Sequence, residues 1–230
     1  MKLTEPVRGA SAMLPTLTGV APIAPTPFTD AGEVDLEGQR RVMDCMVDQG
    51  VDAICILANY SEQFALTDSE RRAILDVCLD QVAGRVPVIV TVSHFSTRIA
   101  SERARDAAAS GASMLMLMPP YHGATLRADE SQVIEHFAAV ADASGLPIMV
   151  QDAPMSGTPL SVPFLLRLGA AVPLVRAFKV EVAGAASKLR ALVETGGSRV
   201  AEPFDGEESI TLMADLDAGA TGTMPSAMIP

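Results

Sequence analysis

Eight short apolar runs, each separated from the next by a longer amphipathic stretch, narrow the fold of this 230-residue chain more than any single motif. The runs fall at 19–24, 52–57, 86–92, 113–118, 146–150, 174–179, 198–201 and 219–224. Between them, helical periodicity covers 36–49, 67–82, 96–110, 129–144, 161–168, 185–195 and 207–217. Runs that stay apolar, without alternating, belong to strands buried on both faces. Strands of that kind alternating with helices build a parallel sheet. The punctuation agrees. Thr67-Asp68-Ser69-Glu70 supplies a capping hydroxyl and a first-turn carboxylate. Gly50, Gly84, Gly111 and Gly145 each close a helical pattern just before the next run.

Eight such units without a second-domain signal predict an α/β chain folded as a closed (β/α)8 TIM barrel. No glycine-rich dinucleotide or phosphate fingerprint follows the first run, which argues against an open doubly wound sheet. The barrel is expected over 19–230, preceded by a disordered or extended leader over 1–18. A barrel of this class runs to about 250 residues. The helix after strand eight, and any C-terminal helices, are expected to be absent from these 230 residues.

The charge of −11 disfavours nucleic acid and anionic membrane as partners, because both need a cationic face. No apolar stretch reaches the roughly 20 residues that span a bilayer, and 1–18 lacks the pattern of a signal peptide. Cys45, Cys55 and Cys78 form no CxxC and cannot all pair, so a reducing cytoplasm is the expected compartment.

Active sites of such barrels form at the C-terminal strand ends. Lys179 ends the sixth run, where an unpartnered ammonium would cost several kcal/mol to bury. Losing its proton would relieve that cost and leave an amine able to form a Schiff base with a ketone. The ordinary alternative is a lysine that reaches out to water. The other polar strand ends are Asn59, Tyr60, Ser61 and Glu62; Ser93 and His94; Tyr121 and His122; Gln151 and Asp152. Glu181 follows on strand six, and Asp205, Glu207 and Glu208 lie beyond strand seven. His94 and His122 lack the spacing of metal ligands, and no metal site is expected. The carboxylates of 207 and 208 suit the start of the seventh helix. Met114-Leu115-Met116-Leu117-Met118 reads as a strand packed on both faces.

The opening Gly19-Val20-Ala21-Pro22-Ile23-Ala24-Pro25-Thr26-Pro27-Phe28, the end of run two, Tyr121 and Lys179 resemble the dihydrodipicolinate synthase/N-acetylneuraminate lyase superfamily. The resemblance implies a (β/α)8 class I lyase, usually tetrameric. It makes Lys179 the Schiff-base lysine and Tyr121 the tyrosine after strand four. Two departures stand out. Where the family carries Gly-Thr-Thr-Gly-Glu, this chain has Ala58-Asn59-Tyr60-Ser61-Glu62, whose amides and Ser61 hydroxyl are left to hold a keto-acid carboxylate. Where the family carries Tyr-Asn-x-Pro, this chain has Gln151-Asp152-Ala153-Pro154, and glutamine is neither acid nor base. The usual relay for C–C cleavage is therefore missing.

These strings, with Met118-Pro119-Pro120-Tyr121-His122-Gly123-Ala124-Thr125, resemble the L-2-keto-3-deoxyarabonate dehydratase branch. That resemblance implies a hydro-lyase converting the sugar acid to 2,5-dioxopentanoate in pentose catabolism, with no cofactor beyond the covalent lysine. It also implies a small 2-keto-3-deoxy sugar acid as substrate, in a homo-oligomer; from the charge, neither nucleic acid nor membrane is expected as a partner. Lys179 and Tyr121 are then the catalytic candidates; Asn59, Tyr60, Ser61, His94, Gln151 and Glu181 are the substrate-binding ones. The rivals are an aldolase, a six-carbon keto-deoxy sugar acid dehydratase such as one acting on 5-keto-4-deoxyglucarate, and an inactive barrel serving as an oligomeric or sensing module.

Overall fold

The computed structural model describes residues 16–122, 126–208 and 210–226; the side chains of 121, 122 and 126 lie outside that description. Eight strands form one parallel sheet: β1 (Gly19–Val20), β2 (Ile54–Ile56), β3 (Val88–Thr91), β4 (Met114–Leu117), β5 (Ile148–Asp152), β6 (Val175–Val180), β7 (Glu202–Asp205) and β8 (Gly222–Thr223). From β2 to β8 each strand pairs with the next along the chain, and β1 pairs with β8. A bridge between Ile23 and Cys55 joins the chain after β1 to β2 and closes the ring. There Ala24 N donates to the Cys55 carbonyl at 2.8 Å, and Cys55 N donates to the Pro22 carbonyl at 2.9 Å.

Seven helices alternate with the strands: α1 (Leu36–Asp48), α2 (Asp68–Val82), α3 (Thr97–Ser110), α4 (Glu130–Ser144), α5 (Val162–Ala171), α6 (Ala185–Gly196) and α7 (Leu212–Asp217). The α2 start is the capping box read from sequence: Thr67 Oγ1 accepts from Glu70 N, and the Glu70 carboxylate accepts from Thr67 N. Among the described residues, no helix is long and apolar enough to cross a membrane.

The alternation along β4 explains why its run is apolar throughout. Met114 and Met116 belong to an inner cluster with Leu17, Cys55, Ile89, Met149, Ala177, Phe204 and Met224. Leu115 and Leu117 join the outer core between sheet and helices, beside Phe137 and Val140 of α4. Both layers exclude water, so neither face of the strand carries a polar signal. On β6 the same alternation places Ala177 inside and Phe178 outside. Lys179 is fully buried, one residue beyond the outward-facing Phe178.

Strand seven departs from the sequence expectation. Residues 198–201 do not form it; Gly197–Arg199 is a 3-10 turn after α6, and the strand is Glu202–Asp205. Its ends are charged and its second residue is proline, which reads as loop. Burial reverses that reading, because Glu202 is 1 % exposed and meets the Arg176 guanidinium on β6 at 3.3 Å. The seventh helix is also shorter than its periodicity, starting at Leu212 instead of 207. Glu207 and Glu208 therefore do not cap it. Glu207 N is held by Asp205 Oδ1 at 3.0 Å, and Glu208, at φ +52°, accepts from Ser226 N and Oγ at 2.8 and 2.6 Å.

Candidate active site

The C-terminal ends of β5 and β6 bring three predicted residues onto one oxygen. Lys179 Nζ lies 2.8 Å from Glu181 Oε2, and Gln151 Nε2 donates to the same oxygen at 3.0 Å. Strand register makes this possible: Gln151 faces Lys179 across the β5–β6 pair. Glu181 follows two residues later, and its amide donates to the Asp152 carbonyl at 3.0 Å, extending the ladder one step past β6. Lys179 and Gln151 are both 0 % exposed, so neither competes with bulk water for the carboxylate. Gln151 Oε1 is buried without a hydrogen-bond partner among the described residues. It is an acceptor held ready in the site.

The lysine is thus not the unpartnered ammonium that its apolar run suggests. A carboxylate is supplied two residues on, and the pair is buried together. Glu181 Oε2 is the proton acceptor within hydrogen-bond distance of the lysine. Gly206 packs directly on this pair. A methyl group in place of its hydrogen would lie 2.9 Å from Lys179 Cγ and 3.1 Å from Glu181 Cβ, so no larger residue fits without moving them.

Above the pair opens a cleft of about 430 Å³ lined by Asn59, Tyr60, Met155, Glu181, Glu207 and Ile210, among others. Asn59 and Tyr60 belong to a 3-10 turn, Asn59–Ser61, at the end of β2. The Asn59 side chain accepts from Gln63 Nε2 at 2.6 Å and donates toward Met118 Sδ at 3.8 Å. Partial burial, with the Glu208 and Glu181 carboxylates, raises the Tyr60 phenol above its ordinary range. The phenol therefore stays a proton-bearing donor at neutral pH. Beneath Lys179, Cys55 is fully buried with Sγ 3.7 Å from Thr91 Oγ1; burial pushes its thiol up to about 11, so it is no nucleophile.

Two predicted binding residues are placed elsewhere. The Ser61 hydroxyl donates to the Ala24 carbonyl at 2.6 Å, and the Ser61 carbonyl accepts from Thr26 Oγ1 at 2.7 Å. That proton ties the turn to the end of the first strand, and is not offered to a carboxylate. His94 turns toward α2 and α3. Its Nδ1 accepts from Ser96 N at 2.9 Å, its ring lies against Phe95, and its charged neighbours are Arg103, Asp68 and Arg71. Burial and the two arginines hold the imidazole below its ordinary range. The Tyr121 backbone pairs antiparallel with Arg127 after β4; its proposed proton transfer rests on a side chain outside the described residues. No group of three metal-ligating side chains comes together among the described residues.

Sequence reasoning passed over the Asp152–Lys188 ion pair, which joins the end of β5 to α6. Asp152 stood among the strand-end residues, but nothing marked Lys188 as its partner. It also missed Asp215 of α7, which is buried near Asp205 at the end of β7. Burial and the carboxylates of Asp205 and Glu207 raise Asp215 to about 6.

Comparison with known proteins places this site. The profile of the dihydrodipicolinate synthetase family matches residues 16–228. The chain belongs to that family. Its match spans every element that builds the site, from the turn after β2 to the segment after β7. The L-2-keto-3-deoxyarabonate dehydratase of Azospirillum brasilense is 54 % identical over 220 residues, covering 96 % of this chain and 71 % of that one. The 4-hydroxy-tetrahydrodipicolinate synthase of Methanothrix thermoacetophila is 29 % identical over 207 residues, covering 90 % and 68 %. Among solved structures, a prophage protein of the dihydrodipicolinic acid synthase family from E. coli, in complex with pyruvate, superposes with a TM-score of 0.84 at 26 % identity, covering 90 % of this chain and 69 % of that one. The (β/α)8 reading of the sequence and its placement in this family both hold.

Proposed function

We propose that the protein dehydrates L-2-keto-3-deoxyarabonate to 2,5-dioxopentanoate through a Schiff base on Lys179. The observation that carries this reading is the shared Glu181 oxygen between Lys179 and Gln151, in a chain 54 % identical to a dehydratase of that name. Lys179 passes a proton to Glu181 and attacks the C2 ketone; loss of the carbonyl oxygen as water leaves an iminium. The iminium draws electrons from C3, whose proton is taken up by the same carboxylate. The enamine expels the C4 hydroxyl as water once that oxygen is protonated. A proton shift from C5 to C3 leaves a C4–C5 enol, whose hydroxyl proton moves to C4 to give the aldehyde; hydrolysis of the imine then releases the product and restores the lysine. The net change is loss of one water with no redox step.

Gln151 fits elimination better than carbon–carbon cleavage. Cleavage needs a base that removes the C4 hydroxyl proton, and an amide cannot supply one. Elimination needs that oxygen held and then protonated, and the unpaired Gln151 Oε1 can accept a hydrogen bond from a substrate hydroxyl. Tyr60, at the cleft wall, is a neutral donor within reach of the same end. Tyr121 is a second candidate for protonating the leaving oxygen. By this reading the protein needs no metal or organic cofactor.

The test is product analysis by mass spectrometry after incubating the intact protein with L-2-keto-3-deoxyarabonate. The expected product is 2,5-dioxopentanoate, and Lys179→Ala is expected to abolish its formation. Pyruvate with glycolaldehyde would instead make the protein an aldolase. Unchanged substrate, or full turnover by Lys179→Ala, would overturn the assignment.

A further inference from the structure

Directly behind the Lys179–Glu181 pair lies a second buried lysine–carboxylate pair. Asp152 is 3 % exposed and forms an ion pair with Lys188 of α6, whose side chain is largely covered. Asp152 follows Gln151 on β5, and its carbonyl accepts the Glu181 amide at 3.0 Å. One residue thus anchors the Glu181 backbone and carries a charge that acts on Glu181. The coupling is visible in Asp152 itself: burial raises its carboxyl, Lys188 opposes that, and the Glu181 charge adds to the rise. Such coupling is mutual, so the Asp152 charge acts on Glu181 as well.

We infer that Asp152 and Lys188 are a positioning pair for the reaction. They fix the Glu181 backbone, and Lys188 cancels the Asp152 charge so that Glu181 answers to Lys179 alone. This rests on the proposed role of Lys179 and Glu181, and adds a residue on α6 that touches no substrate. The groups facing Glu181 are Cys55 on β2 and Tyr60 beyond it, Asp152 on β5, Lys179 on β6, and Glu207 and Glu208 beyond β7, with Lys188 on α6 behind Asp152. Apart from Lys179, Lys188 is the only cation in that set, so its removal cannot be made good by another of these groups.

The experiment compares Asp152→Asn, Lys188→Met, the double variant and Lys188→Arg in the intact protein. Two pH profiles are read: kcat/KM for dehydration, and the yield of the pyruvate adduct trapped with borohydride. In Asp152→Asn the Lys188 ammonium is left uncompensated, which favours the ionised carboxylate and the neutral amine. Both acidic limbs are expected to move to lower pH, by on the order of half a unit. In Lys188→Met the Asp152 carboxylate is left uncompensated, and both limbs are expected to move to higher pH. The double variant carries neither charge and returns the limbs to the unaltered position; Lys188→Arg keeps them there. A merely structural pair would lower amplitudes without opposite shifts.

Limbs that stay put in both single variants, that move the same way, or that the double variant fails to restore would overturn the inference. Should Lys188→Met not fold, Asp152→Asn, Lys188→Arg and the double variant still decide it. A protein that traps pyruvate but does not dehydrate the sugar acid would sink the substrate assignment, while the trapping profile continues to test the pair.

Discussion

Glu181 and Asp215 are carboxylates drawn out of water on the same side of one barrel, yet their surroundings ask opposite things of burial. Glu181 accepts from a lysine and an amide, and it opens on a cleft. Asp215 accepts from Thr211 Oγ1 at 2.6 Å, leaves Oδ1 without a partner, and feels the like charges of Asp205 and Glu207. Burial beside a cation makes a proton acceptor that a reaction can use. Burial beside carboxylates makes a group that holds its proton to higher pH than an ordinary carboxylate and that destabilises the fold once ionised. The first arrangement suits turnover, the second holds α7 to the ends of β7 and β8, where Thr223 Oγ1 also donates to Asp205 at 2.6 Å.

The comparison is tested most severely at Glu181. Glu181→Gln keeps the shape and a hydrogen bond to Lys179, but removes the group that accepts and returns the proton. We expect kcat to fall by about a hundredfold to a thousandfold, within the usual span for lost acid–base catalysis. Borohydride trapping of pyruvate should weaken as well, because Lys179 loses the group that accepts its proton. Turnover within a few-fold of the unaltered protein would move the proton transfer to another residue.

At Asp215 the expected effect lies in stability. Its carboxyl rises from an ordinary 3.8 to about 6 in the folded protein. Between those values the folded chain binds more protons than the unfolded one, so stability falls as pH rises from about 4 to about 6. Asp215→Asn replaces the protonated acid with an amide of the same shape. It should flatten that stretch of the stability curve and stabilise the protein at pH 7 by on the order of 1 kcal/mol. Denaturant midpoints at pH 4.5 and 7 measure it, with kcat expected to stay within about threefold. A loss of turnover as deep as that of Glu181→Gln would erase the distinction between the two carboxylates.

The parts of this arrangement legible in the sequence are those where one strand decides the outcome. Lys179 and Gln151 were readable because an apolar run that ends in a polar residue places that residue at the barrel rim, and Glu181 followed from the two-residue period. Strand seven was not readable, because Glu202 and Pro203 look like loop until Arg176 and the closed ring bury them. The Asp152–Lys188 pair was hidden because its halves lie on different elements, and only α6 packing against the sheet joins them. Ser61 was assigned to substrate from its hydroxyl and its place in the turn after β2; the nearby Ala24 carbonyl, which takes that hydroxyl's proton, is supplied by barrel closure.

His94 gives the smallest expected effect, and the clearest check on reading strand ends as a single site. It follows β3, so a rule based on strand ends assigns it to the cleft. Its Nδ1 is instead committed to the Ser96 amide, and Arg103 and Arg71 surround it with positive charge from α2 and α3. Held below its ordinary range, the imidazole stays neutral at pH 7 with its proton on Nε2. His94→Ala should then cost about 1 kcal/mol of stability, from the lost amide bond and the contact with Phe95. It should leave kcat, KM and pyruvate trapping within about twofold. A tenfold rise in KM at unchanged kcat would mean that the substrate reaches past the end of β3, and the boundary drawn here between the cleft and the α2–α3 side would have to move outward.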